Sequence, residues 1–258
     1  MKKVLLIGAN SYIGNAFESY IYNRMEVDKV RASNRQWENV DLSRYDTIVM
    51  LAAIVHLKEQ KHMEELYREV NCELPVRIAK KAKASGVRHF IFLSTAAVYG
   101  SKATRITYTT EELPDTLYGL TKLEAEKRLM QLSEPNQFQI GIVRPPMVYG
   151  EECKGNYRKL IKLSKYTMFF PKINNKRSMI YIDVLCEYLE KMIINETTGI
   201  KLPQDDQYKE TALLVKQIRK EMGKKTILFP GTAWLIRILV KRNKLFGKLF
   251  GDFYYEAE

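Results

Sequence analysis

Cysteine, histidine and tryptophan are scarce in this 258-residue chain, at three, three and two residues. Cys72, Cys153 and Cys186 show no paired spacing, so neither a disulfide framework nor a metal site is indicated, and the few histidines leave no metal cluster to propose. A reducing cytoplasm fits that usage. Also missing is any uninterrupted apolar run long enough to span a bilayer, so no integral membrane segment is expected. The opening Met1-Lys2-Lys3-Val4-Leu5-Leu6-Ile7-Gly8 has the basic end of a signal peptide, but its apolar run is too short and a glycine turn follows. A buried strand is the better reading. There is no internal repeat and no low-complexity linker. Hydrophobic residues at 46% and charged ones at 28% give a globular composition.

Acid is in deficit. The net charge is +12, and residues 151–258 contribute +8 of it against +4 from residues 1–150. Such a bias suits nucleic acid, an anionic membrane surface or a phosphorylated small molecule. No recognisable nucleic-acid-binding module is present, so no nucleic-acid partner is expected. A substrate carrying a diphosphate explains the bias more economically.

What is present begins with Lys3-Val4-Leu5-Leu6-Ile7, a continuous β-prone run as in a strand buried on both faces. It enters Gly8-Ala9-Asn10-Ser11-Tyr12-Ile13-Gly14 and then a helical stretch. Strand, glycine turn and helix start describe a dinucleotide phosphate site, or else an ordinary βα turn. A second strand is expected over 27–32, ending in Ala32-Ser33-Asn34-Arg35. No carboxylate stands there to bind ribose hydroxyls, whereas Arg35 suits a 2′-phosphate or is a solvated loop residue, so NAD and NADP both stay open. Asp46 to Leu51 reads as the third strand, with Asp41-Leu42 before it as an adenine contact and Ala52-Ala53 after it, small enough for backbone to approach a nucleotide. A helix is expected over 59–84, crossing Asn71; strands follow at 89–94 and 138–143. Alternating strands and helices imply a parallel, doubly wound α/β sheet with ligands at the carboxyl ends of its strands. The expected division is a dinucleotide-binding domain over 1–150 and a small mixed substrate-binding portion over 151–258. In the latter, 156–165, 184–194 and 211–222 read as helices and 177–183 as extended. The stretch from Trp234 to Phe250 is a basic amphipathic helix, which either lies on a membrane or packs against the domain.

The chemistry centres on Tyr118-Gly119-Leu120-Thr121-Lys122, followed by strong helix formers up to Met130. Tyr118 and Lys122, at i and i+4, share one helix face. A phenol with an ordinary pKa near 10 is a poor base at neutral pH, and an ammonium held close lowers that value. Alone, such a pair is as consistent with a decorated helix.

Together these residues resemble the extended short-chain dehydrogenase/reductases, in the nucleotide-sugar epimerase/dehydratase branch, over nearly the whole chain. The resemblance implies a Rossmann-type fold, NAD or NADP as cofactor and a nucleoside-diphosphate sugar as partner. Gly8, Asn10, Ser11, Tyr12, Ile13 and Gly14 would hold the cofactor, with Ser11 where the middle glycine of the family usually stands, and with Arg35, Asp41, Leu42, Ala52, Ala53 and Asn71. Thr95, Tyr118 and Lys122 would be catalytic: Thr95 bonds the reacting sugar oxygen and shuttles its proton to Tyr118, and Lys122 also grips the nicotinamide ribose. Asn71 organises the structure near that lysine. Arg177, in Arg177-Ser178-x-x-Tyr181-Ile182-Asp183, would pair with the substrate diphosphate through its planar fork. Met147 replaces an asparagine of many family epimerases, and Asn156 is the substitute substrate contact.

After Thr95, sugar 4,6-dehydratases resemble Asp-Glu, decarboxylating relatives carry a Glu, and C5 epimerase-reductases use a Cys. This chain has Ala96 and Ala97, which move no proton; Ala96 is left as a substrate neighbour. Hydride chemistry at a ring carbon, most often C4, remains. The expected function is an NAD(P)-dependent nucleotide-sugar 4-epimerase. The alternatives are an NADPH-dependent 4-keto-sugar reductase and a non-catalytic dinucleotide-binding sensor or scaffold. A homodimer stays open.

Overall fold

The computed structural model describes residues 1–9, 11–33, 35–55, 63–153 and 155–256. Along the chain, β1 (Lys3–Ile7) leads to α1 (Tyr12–Ile21), β2 (Glu26–Val30) and β3 (Thr47–Met50). Next come α2 (Glu64–Arg68) and α3 (Leu74–Ala84), joined by a π-helical turn over Glu69–Glu73. β4 (His89–Leu93), β5 (Arg105–Ile106), α4 (Leu117–Met130), β6 (Gln139–Val143) and β7 (Met147–Tyr149) follow. The rest is α5 (Asn156–Tyr166), β8 (Phe169–Pro171), β9 (Met179–Tyr181), α6 (Ile182–Ile194), β10 (Gly199–Lys201) and α7 (Thr211–Glu221). The chain closes with β11 (Ile227–Phe229), α8 (Ala233–Arg242), α9 (Lys244–Phe250) and β12 (Tyr254–Tyr255).

Two compact units result. The first comprises residues 1–100, 112–146 and 182–203; the second comprises 101–111, 147–181 and 204–258. The chain therefore does not change over once near residue 150, as the sequence suggested. The stretch Ile182-Asp183, expected to be extended, already belongs to α6. That helix packs against α1, and β10 then adds to the first unit's sheet.

The sheet of the first unit has six strands in the order β10-β6-β4-β3-β1-β2, all parallel. Its inner strands β1, β3, β4 and β6 are largely apolar on both faces because both are covered, whereas the edge strand β2 is charged and partly exposed. Leu5, Ile7, Ile48, Met50, Phe90, Phe92, Ile140 and Ile142 pack in one cluster with Ala79, Ala82, Ala125 and Leu129 of the helices. The alternating Val4, Leu6, Val49 and Ile91 are buried just as completely. The order reverses at β1, whose neighbours are β2 and β3, so the switch point lies at the carboxyl ends of β1 and β3.

The second unit is mixed. Three parallel two-stranded ribbons, β5 with β12, β7 with β9 and β8 with β11, accompany its helices. Leu160, Phe170, Ile173, Met179, Ala212, Val215, Ile218, Ile236 and Phe250 form its core.

His89 sits in the interior of the first unit, with Nε2 3.1 Å from the Thr197 carbonyl and Nδ1 3.4 Å from Thr47 Oγ1. Burial lowers its pKa to about 4. An unfolded chain takes that proton near 6.5, so between these values the unfolded state binds more protons. Stability should fall as pH drops from 6.5 towards 4, by up to about 1.4 kcal/mol per unit from this group. Urea titrations across that range should show the slope, and His89→Leu should flatten it.

Candidate active site

At the switch point the glycine turn is a steric requirement. Ile7 O accepts hydrogen bonds from Leu51 N and Ala52 N, which draws the ends of β1 and β3 together. Gly8 has φ +124°, and a Cβ there would lie 2.7 Å from Ala52 N. Only glycine fits both the backbone and the space. Gly8 N and Ala9 N donate to Val30 O, and Ser11 N to Gly8 O. Ser11, in the place of the family's middle glycine, is the N-cap of α1, its Oγ accepting from Gly14 N at 3.0 Å. Tyr12 and Ile13 open the helix, where N–H groups have no acceptor within the helix itself. This turn, small at Gly8 and Ala52 and led by a helix N-terminus, fits the diphosphate of a dinucleotide. Asn10 lies outside the described residues.

The other expected cofactor residues divide. Ala52 and Ala53 are half-buried at the end of β3. Leu42 is 1% exposed, inside the core cluster, so its side chain is taken up by packing and only its backbone could meet an adenine. Asp41 caps the following 3₁₀ turn, accepting from Ser43 N at 3.1 Å and Ser43 Oγ at 2.6 Å; these bonds hold its carboxyl below the usual range. Arg35 is exposed and donates to Glu38 at 2.7 Å. A 2′-phosphate would compete with that carboxylate, but an exposed pair of this kind is weak, so NAD and NADP both stay open.

Asn71 is fully buried in the π-helical turn. Its Oδ1 accepts from Ile54 N at 2.9 Å, and its Nδ2 donates to Ile54 O at 3.1 Å and Thr121 Oγ1 at 3.3 Å. The side chain ties the segment after β3 to α4 rather than reaching outward. A π-turn adjusts one residue's register within a helix and recurs at functional sites.

Thr95 and Tyr118 are brought together. Thr95 caps the 3₁₀ turn after β4, its Oγ1 accepting from Ala97 N at 3.1 Å. Thr116 caps α4 by accepting from Gly119 N at 3.1 Å. Gly119 lets α4 lie against the β4 turn, since a Cβ there would lie 2.6 Å from Ala97 O. The result is a hydrogen bond between the Thr95 hydroxyl and the Tyr118 phenol. Ala96, expected beside the substrate, is buried, with its N–H donated to Pro145 O at 3.0 Å.

Lys122 is buried completely, donating from Nζ to Leu93 O at 2.7 Å and lying 4.2 Å from the centroid of the Phe92 ring. Burial lowers its pKa to about 7, against the pull of Glu126. The sequence reading had this ammonium depressing the Tyr118 pKa. Instead burial pushes the phenol up to about 12, against the hydrogen bond from Thr95. Desolvation is the largest cause, and Tyr67 adds to it in the same direction.

Glu126 lies one further turn along α4, buried, and accepts from Arg144 Nε at 3.1 Å and Nη2 at 2.6 Å and from the Ser94 hydroxyl. Arg144, also buried, donates to Tyr99 Oη at 2.7 Å and Glu112 at 2.9 Å. Burial opposes its charge, but the bonds to Glu126 win and hold the guanidinium protonated. Sequence reasoning gave Glu126 no role. The signal was its spacing, since Tyr118, Lys122 and Glu126 repeat every four residues.

Among the described residues Cys72, Glu73 and Glu124 come within metal-ligand reach of one another. Arg128 donates to Glu73 and Cys72, Arg68 pairs with Glu124, and burial pushes the Cys72 thiol up to about 11. The cluster is an ion-pair network.

In the second unit, Asn156 is exposed in the first turn of α5. Arg177 exchanges backbone hydrogen bonds with Lys209 and donates from Nη1 to Gly251 O at 2.9 Å. Burial lowers its pKa, outweighing the attraction of Asp252.

Compared with known proteins, residues 4–195 match the NAD dependent epimerase/dehydratase family. The chain belongs to that family. It is 34% identical to the UDP-glucose 4-epimerase of Vibrio cholerae over 81% of its own length and 65% of that protein's. To the N-acetyl-alpha-D-glucosaminyl-diphospho-ditrans,octacis-undecaprenol 4-epimerase of Escherichia coli O157:H7 it is 27% identical, over 77% and 65%. This epimerase-family chain thus spans about two thirds of the length of the curated relatives it matches. A dTDP-4-dehydrorhamnose reductase from Clostridium acetobutylicum shares its fold, with TM-score 0.73 and 21% identity over 88% of this chain and 83% of that one. The family so matched is NAD dependent.

Breaking a buried ion pair by removing one partner costs about 3–5 kcal/mol, because the other charge is left uncompensated. Glu126→Gln should lower the free energy of unfolding by that amount in urea titrations. A loss under about 1 kcal/mol would mean that the Glu126–Arg144 pair is dispensable to the fold.

Proposed function

We propose that this chain is a 4-epimerase acting on a nucleoside-diphosphate sugar, with a UDP-sugar favoured by its similarity to the Vibrio cholerae enzyme. The observation that carries the reading is the Thr95–Tyr118 hydrogen bond on the helix that also carries the buried Lys122. A bound nicotinamide dinucleotide would supply the hydride acceptor and donor. Tyr118 and Lys122 would hold its ribose, and the turn from Gly8 to Gly14 its diphosphate.

The remaining chemistry belongs to the chain. With Tyr118 as the phenolate that a charged Lys122 favours, Thr95 would take the C4 hydroxyl proton as it gives its own to the Tyr118 oxygen, while the C4 hydride leaves for the dinucleotide. The same proton returns when the sugar presents its other face. Ala96 and Ala97 provide no second acid or base, which argues for simple oxidation and re-reduction over elimination. A reducing compartment, the cytoplasm, suits three buried free thiols.

Tyr118→Phe should cut turnover by roughly 10²–10⁴ while lowering dinucleotide content only slightly, since the proton path is lost but Lys122 and the turn from Gly8 to Gly14 still hold the cofactor. An epimerase regenerates its cofactor each cycle, so purified protein should retain oxidised dinucleotide and interconvert UDP-hexose or UDP-N-acetylhexosamine 4-epimers with none added. Stoichiometric NADPH consumption with a 4-keto sugar, and no activity on 4-hydroxy sugars, would make it a reductase using the same residues.

Arg177 is proposed as the diphosphate ligand, because its desolvated guanidinium has donors beyond the one given to Gly251 O. A charge-assisted contact of this kind is worth roughly 1.5–3 kcal/mol, so Arg177→Leu should raise KM about tenfold to a hundredfold. A melting-temperature drop without a KM change would assign Arg177 to holding the 251–253 segment.

A further inference from the structure

The second unit carries a surface that none of this chemistry uses. In the ribbon of β8 and β11, Phe169 pairs with Ile227, Phe170 with Leu228 and Pro171 with Phe229. Alternation turns Phe170 and Leu228 into the core. It leaves Phe169 and Ile227 side by side, 56% and 46% exposed. α8 packs Ile236, Leu239 and Val240 on the same core, while Trp234 and Ile238, one turn apart, are 66% and 43% exposed. Lys172 and Pro230, just past the two strands, line a shallow cavity of about 270 Å³ together with Asn174, Ala233 and Arg237. Ribbon and helix therefore form one continuous face, apolar and aromatic, with Lys172, Arg237 and Arg242 exposed around it.

The two stretches that build this face carry charge of one sign, with Asp206 and Glu210 beyond Asn174 at its edge. Residues 153–182 contain eight Lys and Arg and no Asp or Glu; residues 222–251 contain seven and none. The fold joins these two stretches, remote in sequence, in this one surface. Nucleic acid would select cations without a platform of exposed Met168, Phe169, Ile227 and Ile238. A lipid surface selects both, with Trp at the interface and Lys and Arg at the anionic headgroups. Neither α8 nor α9 is long enough to cross a bilayer, and no helix among the described residues is.

We propose that this face docks the protein peripherally on an anionic membrane, with Trp234, Ile238, Phe169 and Ile227 entering the headgroup boundary and Lys172, Arg237 and Arg242 on lipid phosphates. The docking is independent of the active-site reading, because it is read without turnover.

The chain has two tryptophans, and Trp37 is buried in the core. Trp37→Phe therefore leaves Trp234 as the reporter. With vesicles of phosphatidylglycerol and phosphatidylcholine, the full chain should co-sediment and its Trp234 emission should shift to the blue. Binding should weaken steeply with salt and be absent on phosphatidylcholine alone. Arg237→Glu should weaken it on the order of tenfold, and Phe169→Ser with Ile227→Ser should abolish the residual binding, each with an unchanged circular dichroism spectrum. No co-sedimentation at low salt would overturn the proposal, as would equal binding by the variants. A blue shift that follows protein concentration without vesicles would assign the face to a second copy instead.

Discussion

The active-site end of the first unit depends on one buried pair, Glu126 with Arg144. Two charges in a dry interior are costly unless every lone pair and N–H finds a partner. Here Arg144 reaches Glu126, Tyr99 and Glu112, and Glu126 also takes the Ser94 hydroxyl. The pair joins the ends of β4 and β6 to α4. Ser94 immediately precedes Thr95, and Glu126 shares a helix face with Tyr118 and Lys122. The distance between Thr95 and the phenol is therefore set by a strand end and a helix locked to the same carboxylate.

That arrangement leaves a tension at Lys122. Its ammonium is desolvated, and the attraction of Glu126 recovers only part of the cost, so its pKa lies near 7. Tyr118 moves the other way for the same reason. Two groups paired in the sequence by spacing are thus driven towards their neutral forms by burial. A site poised this way gains most from added negative charge: an anionic ligand beside Lys122 would restore the cation, and the restored cation would favour the phenolate.

Much of this was legible in the chain because buried parallel strands and glycine turns leave strong local signals. Val4 to Ile7 followed by Gly8 located the switch point, and Tyr118 with Lys122 located α4. The resemblance built on those residues is borne out by the family match. What was lost depended on contacts between distant residues. β10 is three residues long and pairs with a strand more than fifty positions earlier, so no local pattern announces it. Leu42 beside a capping aspartate looks the same whether it faces adenine or the core. Arg35 could not be seen from the sequence to have Glu38 as a competing partner. Glu126 was hidden for a subtler reason: a carboxylate in a helix of charged residues passes for surface until Arg144 is seen opposite.

The charge excess was first ascribed to a substrate diphosphate, and magnitude argues against that economy. A diphosphate is met by one or two well-placed guanidinium or ammonium groups, and their strength comes from burial and geometry. Arg177, half-buried and held by Gly251 O, is the residue proposed for that task. The other described cations of residues 153–182 and 222–251 lack that burial, being exposed on the second unit. Exposed charges separated by more than about 8 Å are screened from one another in physiological salt. They act instead on an extended surface of opposite sign, where many weak attractions add. Lys172, Arg237 and Arg242 beside exposed Phe169, Trp234 and Ile238 are the pattern expected when selection acts on a face rather than on a pocket.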